Sequence, residues 1–250
     1  MSSKISALVI THNEANNIKD LIENLNFTDE IIIVDSFSTD RTLAILENYS
    51  HVRVYQHVFK DFSSQRNIAL KYASHEWILF IDADERISEN LKKEILETVS
   101  LKNSNQGYFF KRKFYFLDKR INFSGLRTDK NLRLFKKEGA IYHGLVHEKV
   151  NIKNTGTFKN FLTHFSYTSH KHFKSKIIYY NKLKALEKIT KGKKHSLVME
   201  IFHPIYTFLN RYLFRLGIFD GKRGFIICMV YSQGIRERYK EMRRLKKEQL

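Results

Sequence analysis

Four short, mostly apolar runs, each followed by a segment of helical character, constrain the first hundred residues more than any other feature. Ile5 to Thr11, Glu30 to Asp35, Val52 to Gln56 and Glu76 to Ile81 read as strands. Such runs are too short for buried helices and too continuous for strands wetted on one face. Between them, Ala15 to Leu25 reads as an amphipathic helix. Ser38-Thr39-Asp40 offers helix-start chemistry before Thr42 to Tyr49, and Ser63 or Ser64 can cap a helix running to Ala73. Ser88 opens a further helix through Val99. Strands alternating with helices imply βαβ units: an α/β chain whose mostly parallel sheet carries helices on both faces.

The texture changes at Gly107. Tyr108 to Leu117 alternates aromatic and basic residues, and Arg127 to Lys137, Gly144 to Val150 and Thr157 to His164 read as further short strands or loops. From His170 the pattern is helical again, with Phe173, Ile177, Tyr180, Leu183 and Leu186 at three- and four-residue spacing. The expected organisation is a domain over residues 1–165, with halves 1–106 and 107–165, followed by a basic helical region over 166–250. Charge follows the same division. The chain carries +18 overall, yet His164 to Leu250 holds twenty Lys and Arg against six Asp and Glu, a net +14. A basic tail on a nearly balanced body points to a polyanionic partner, either nucleic acid, an anionic membrane surface or an acidic glycolipid. The region could lie in a membrane interface, or its aromatic residues could pack inward while its lysines are solvated. No run of eighteen apolar residues occurs, so no membrane span is expected. Cys228 is the only cysteine, which excludes an intrachain disulfide and fits a reducing compartment. The short apolar run Ala7 to Ile10 does not read as a secretory signal.

Chemistry gathers at the strand ends. Trp77 to Ile81 runs straight into Asp82-Ala83-Asp84. Alternate residues of an extended chain point the same way, so both carboxylates would emerge together at the carboxyl edge of a core strand, where open α/β sheets bind ligands. Two convergent carboxylates need a positive partner, and magnesium or manganese carrying a diphosphate would supply it. Asp35 closes a second core strand, and Thr11-His12-Asn13-Glu14 closes the first. Arg66 lies one turn inside a helix, where a side chain can meet an anion. Glu148, after His147, is a candidate general base, with Asp129 as its rival. His164 reads as a core histidine or as a third metal ligand. There is no phosphate loop of the G-x-x-x-x-G-K-[ST] type, no G-x-G-x-x-G and no recognisable RNA- or DNA-binding motif.

As a set, Leu8-Val9-Ile10-Thr11-His12-Asn13-Glu14, Ile33-Val34-Asp35-Ser36-Phe37-Ser38-Thr39-Asp40, Ser64-Gln65-Arg66-Asn67 and Phe80-Ile81-Asp82-Ala83-Asp84-Glu85 resemble the inverting family 2 glycosyltransferases of GT-A fold. His147-Glu148 and the Leu216 to Phe225 stretch resemble the subgroup containing lipopolysaccharide core β-1,4-glucosyltransferases. The resemblance implies a UDP-sugar donor held by Thr11, Glu14, Asp35, Arg66 and Asp82. It implies magnesium or manganese on Asp84, and Glu148 as base. It further implies an anionic glycolipid acceptor, no nucleic-acid partner, and a cytoplasmic enzyme resting on the inner-membrane surface. A polyprenyl phosphate or capsular glycan is the alternative acceptor. Two departures from the family pattern stand out: Phe37 where glycine is common, and a His-Glu pair where Glu-Asp often holds the base.

Overall fold

The computed structural model describes residues 3–117, 119–126, 129–144, 149–167 and 169–248. The chain divides into two compact units. One comprises Met1–Arg112 with Lys130–His164, and the other Lys113–Asp129 with Phe165–Leu250.

The first unit begins with β1 (Ile5–Thr11), α1 (Ile18–Leu25), β2 (Glu30–Asp35), α2 (Thr42–Leu46), β3 (Val52–Gln56), α3 (Phe62–Tyr72) and β4 (Trp77–Phe80). A short β5 (Glu85–Ile87) and α4 (Glu89–Ser100) follow. β1 pairs in parallel with β2 on one side and β4 on the other, and β2 pairs in parallel with β3. Alternation along these strands divides the core into two layers. Ala7, Val9, Ile31, Ile33 and Leu79 pack with α1 and α4 on one face, and Leu8, Ile32, Val34, Ile78 and Phe80 pack with α3 on the other. Each fully buried Leu or Ile contributes about 1.5–3 kcal/mol of apolar transfer, so these strands anchor the unit. The later strands are β6 (Gly107–Phe116), which leaves this unit after Arg112, β7 (Lys119–Ile121), which belongs to the second unit, β8 (Lys130–Lys136), β9 (Tyr142–His143), β10 (Lys149–Val150) and β11 (Thr155–Tyr167), which leaves this unit after His164. Among the described residues the main sheet runs β3-β2-β1-β4-β8-β6-β11-β5. β8 is antiparallel to β4 and to β6, and β5 is antiparallel to β11. The parallel half is therefore edged by an antiparallel half, which is a GT-A arrangement.

The second unit is built on α5 (His170–Thr190), α6 (Leu197–Leu209) and α7 (Gly221–Glu248). A π-helical turn at Asn210–Phe214 and a 3-10 turn at Gly217–Asp220 lie between the last two. Phe173 and Ile177 of α5 pack with Ile227 and Val230 of α7. The Asp220 carboxylate accepts hydrogen bonds from the Asn122 and Phe123 N–H groups and the Ser124 hydroxyl, and so fixes that loop. Gly224 lies so close to the Gly217 carbonyl that a Cβ there would collide with backbone. Gly217 and Gly224 of the Leu216 to Phe225 stretch therefore serve a close approach, whereas Gly221 holds a positive φ of 60°.

Several local expectations shift. α1 begins at Ile18 rather than Ala15, because the Glu14 carbonyl accepts from both Asn17 and Ile18 N–H and closes a turn first. Asp61, not Ser63 or Ser64, caps α3, accepting from Ser64 N–H at 2.7 Å. The buried stripe of α5 runs through Phe173, Ile177, Asn181 and Ala185, leaving Leu186 exposed. Asn181 belongs inside because its Oδ1 accepts two hydrogen bonds from Arg238 of α7.

Candidate active site

The carboxyl ends of β1, β2 and β4 meet where strand order reverses around β1, the usual ligand crevice of an open α/β sheet. Parallel register sets Thr11 beside Asp35, and the Thr11 hydroxyl donates to Asp35 Oδ1 at 3.0 Å. Asp35 is fully buried and also accepts from the backbone N–H and the hydroxyl of Ser38. Three of a carboxylate's roughly four acceptor positions are thus spent on shaping the loop. That loop is laced to the one after β1. Asn13 N–H donates to Ser38 Oγ, Thr39 N–H to Asn13 Oδ1, and Glu14 N–H to Thr42 Oγ1, each at 2.8 Å. Asn13 and Phe37 both hold positive φ, 58° and 56°, at the tips of these loops. Phe37 is half exposed there.

The acidic doublet departs from the extended geometry expected of it. β4 ends at Phe80, and residues 82–85 form a tight turn closed by Glu85 N–H donating to the Asp82 carbonyl at 3.0 Å. The turn brings Asp82 to Arg66 and Arg133, and Asp84 to His164. Asp82 is gripped by arginines: Arg66 Nη2 lies 2.8 Å from Oδ1, and Arg133 Nη2 contacts Oδ2. Burial works against the charged form of Asp82, yet Arg133 and Arg66 outweigh it and hold the carboxyl well below the usual range. The same Arg133 Nη2 reaches the fully buried Glu85 at 2.6 Å, with Arg112 at 3.2 Å on that oxygen. Arg66 itself lies 4.3 Å above the Phe80 ring, a cation–π contact that keeps it at the site rather than in solvent. Arg86 braces the turn from behind. It donates to the Ala83 and Glu85 carbonyls and, at 2.8 Å, to the Asn17 carbonyl at the start of α1. Burial lowers the Arg86 guanidinium from its usual value, while Asp20, Asp84 and Glu14 push it back up.

Asp84 is nearly buried and faces His164, whose Nε2 lies 3.3 Å from Oδ1. Antiparallel register places His164 opposite Glu85, one residue beyond Asp84. Two of the expected metal-binding residues are therefore side by side. Among the described residues no cluster of three or more His, Cys, Asp or Glu is arranged to hold a metal. Magnesium and manganese commonly bind through one or two protein ligands, with water and phosphate oxygens completing the shell. The donor set fits that mode.

The other expected residues fall out as follows. Thr11, Asp35, Arg66, Asp82, Asp84 and His164 all belong to the first unit. Glu14 lies beside the same crevice, its carboxylate accepting from Asn17 Nδ2 at 2.7 Å. Asp129 lies in the second unit, its N–H donating to the Leu126 carbonyl at 3.3 Å. Glu148, with His147, lies outside the described residues. The segment leading to it is tied down: Ser63 donates to the Gly144 carbonyl, and Asn67 exchanges two hydrogen bonds with the Tyr142 backbone. Sequence reading missed Arg133, Arg112, Arg86 and the buried role of Glu85. Only Glu85, adjoining the doublet, carried any signal. Arg133 looks no different in sequence from Lys130 or Lys136 on the same strand.

Residues 6–150, more than half of the chain, match the family described as Glycosyl transferase family 2. The chain belongs to this family. It is 30% identical over 237 residues to the lipopolysaccharide core biosynthesis glycosyltransferase LpsC of Rhizobium meliloti (strain 1021), covering 90% of this chain and 86% of that one. Among solved structures, it resembles the mannosyltransferase PcManGT of Pyrobaculum calidifontis in complex with GDP-Man and Mn2+. That match has a TM-score of 0.58 at 11% identity and covers 97% and 87% of the two chains. Glucosyl-3-phosphoglycerate synthase of Mycobacterium tuberculosis, in complex with Mn2+, UDP and glucosyl-3-phosphoglycerate, matches with a TM-score of 0.51 at 14% identity. Coverage is 78% of this chain and 82% of that one. These family 2 and GT-A likenesses agree with the sheet order and with the crevice at the ends of β1, β2 and β4.

Proposed function

We propose that this glycosyltransferase moves a hexose, glucose in the first instance, from a UDP-sugar to a hydroxyl of an anionic glycolipid such as the lipopolysaccharide inner core, with inversion. The juxtaposition of Asp84 and His164 beside an arginine-rich turn carries this reading. LpsC supports the acceptor class, and the two solved relatives, each named with manganese and a nucleotide or nucleotide-sugar, support the donor class. A cytoplasmic enzyme at the inner-membrane surface suits such an acceptor.

Thr11, Asp35 and Glu14 shape the nucleoside side of the crevice. Arg66 and Arg133 fix Asp82 as a charged wall whose carboxylate meets the donor's ribose. Asp84 and His164 would hold a divalent cation. When bound, it would neutralise charge growing on the departing diphosphate. The acceptor oxygen attacks the anomeric carbon from the face opposite the diphosphate. Glu148 takes the acceptor proton as the new bond forms. The domain of residues 1–165, with its nucleotide half 1–106 and acceptor half 107–165, would hold this chemistry, and 166–250 would serve the membrane surface.

The test is UDP release from a panel of UDP-sugars with manganese and a truncated core glycolipid, with the product anomer read by NMR. Manganese-dependent release from one UDP-sugar, an inverted product and loss of both in Asp84→Ala are expected. Wild-type turnover by folded Asp84→Ala would sink the assignment.

A further inference from the structure

The second unit carries a helix whose amphipathicity is inside out. On α6, Leu197, Val198, Ile201, Phe202, Ile205 and Tyr206 follow a helical repeat along one face, and each is more than half exposed. The polar side chains occupy the opposite face, where they are turned onto protein. Glu200 pairs with His195 and with Arg243 of α7, at 2.8 and 3.3 Å. His203 Nδ1 lies 3.0 Å from the Tyr239 hydroxyl. The Pro204 carbonyl, on the same face, accepts from Ser232 at 2.8 Å. Farther along, Arg211 donates to the Ser124 carbonyl and lies 3.8 Å from the Tyr231 ring centroid. A helix packed on its own protein normally does the reverse.

The exposed apolar surface continues past α6. Phe214 in the π-helical turn and Phe219 in the 3-10 turn are 76% and 70% exposed. Fourteen of the twenty-three exposed large hydrophobic side chains among the described residues lie between Leu197 and Phe225. Isolated exposed apolar residues are ordinary, but a continuous face of them marks an interaction surface.

Charge decides between occupants. Lys191, Lys193 and Lys194 before α6, and Arg215 and Lys222 after it, are all exposed. The acids of this stretch, Glu200 and Asp220, are turned inward to His195 and Arg243 and to residues 122–124. The apolar face is thus flanked at both ends by exposed cations with no exposed anion between them. A second copy would bring the same cations against these and be repelled. An anionic bilayer matches both features, because its headgroups attract the cations and its acyl boundary accepts the apolar face. No described helix is long and apolar enough to cross a membrane.

We infer that α6 and the two turns after it lie in the plane of an anionic membrane surface, with the face around Phe202 and Ile205 entering the headgroup–acyl boundary. The inference rests on the proposed function only in giving that membrane a reason, since the acceptor would be lipid-borne. α5 is not this element, because its stripe through Phe173 and Ile177 is buried.

The test is flotation of the full-length protein with vesicles of phosphatidylethanolamine and phosphatidylglycerol, and in parallel with phosphatidylcholine. Neither donor nor acceptor is present, so failure here is separable from failure of the glycolipid reading. Wild type should float with the anionic vesicles and fall off as salt is raised. Phe202→Glu combined with Ile205→Glu should weaken binding at least about tenfold, as should Phe202→Ser with Ile205→Ser. Both pairs should keep the wild-type melting temperature, since the positions are exposed. Absence of wild-type flotation overturns the inference. So does equal binding by the double variants, or a wild-type dimer in sedimentation that those variants dissolve.

Discussion

His164 Nε2 stands 3.3 Å from Asp84 Oδ1, brought there by the antiparallel register of β11 against β5. Under the proposed function the two residues would share a cation, and their loss should have different signatures. Asp84→Asn removes the charged ligand and should abolish UDP release at any manganese concentration. His164→Ala should leave activity recoverable, with the manganese needed for half-maximal rate raised about tenfold or more, as for supporting residues of metal sites. Chelation with EDTA should silence wild type, and manganese should restore it. Manganese titrations of UDP release check all three.

Arg133 is the keystone of the turn after β4. It is almost fully buried and contacts both Asp82 and the fully buried Glu85. Arg133→Met would leave Glu85 with Arg112 alone and strip Asp82 of one of its two arginines. Removing one member of a buried ionic network costs about 3–5 kcal/mol, because a charge is left uncompensated. Urea denaturation should show a loss of that order. Adding Glu85→Gln should recover part of it, since the stranded charge is then gone. A loss below 1 kcal/mol, on the order of a surface pair, would show that the network does not hold the turn.

Asp82 makes the stability of the first unit sensitive to acid. Burial raises its carboxyl, but Arg133 and Arg66 hold it well below the ordinary value of 3.8. A group depressed on folding binds fewer protons in the native state, so it stabilises above its unfolded value. The contribution is present at neutral pH and drains away as pH falls below about 4. Asp82→Asn should therefore be less stable than wild type at pH 7. The gap in melting temperature should narrow between pH 5 and pH 3, which calorimetry across that window would follow.

Much of the parallel half is legible in sequence, because buried parallel strands are written as continuous apolar runs and little else produces them. β1, β2 and β3 fall where the apolar runs lie, and β4 starts one residue late at Trp77. What sequence conveys poorly is where charge goes once the chain folds. The i, i+2 spacing of Asp82 and Asp84 encourages an extended picture, yet the arginines that satisfy Asp82 come from residues 66 and 133, on α3 and β8. No local pattern encodes that meeting. Hydrophobic periodicity fails in the second unit for a related reason. The apolar set Phe173, Ile177, Tyr180, Leu183 and Leu186 on α5 is sound by composition, but the buried stripe turns through Asn181 instead, which Arg238 on α7, 57 residues away, satisfies.

Lys184 offers a test with the same slope at the alkaline end, but with a variant that gains stability rather than loses it. Burial lowers its ammonium, and the neighbouring Arg238 guanidinium lowers it further, to about 8 from an ordinary 10.5. Below pH 8 the lysine is charged in both the folded and unfolded chain, and its charge works against the fold. Between about 8 and 10.5 the native state gives up the proton while the unfolded chain keeps it. Stability must then rise with pH across that window, because the unfolded state binds more protons. Lys184→Met removes the charge and keeps the apolar stem. The variant should therefore melt above wild type at pH 7, with the advantage shrinking as pH approaches 10. Other groups titrate in this range in both proteins, so the difference between the two melting curves is the quantity to follow. A constant difference from pH 7 to pH 10 would show that Lys184 keeps an ordinary ammonium in the folded chain.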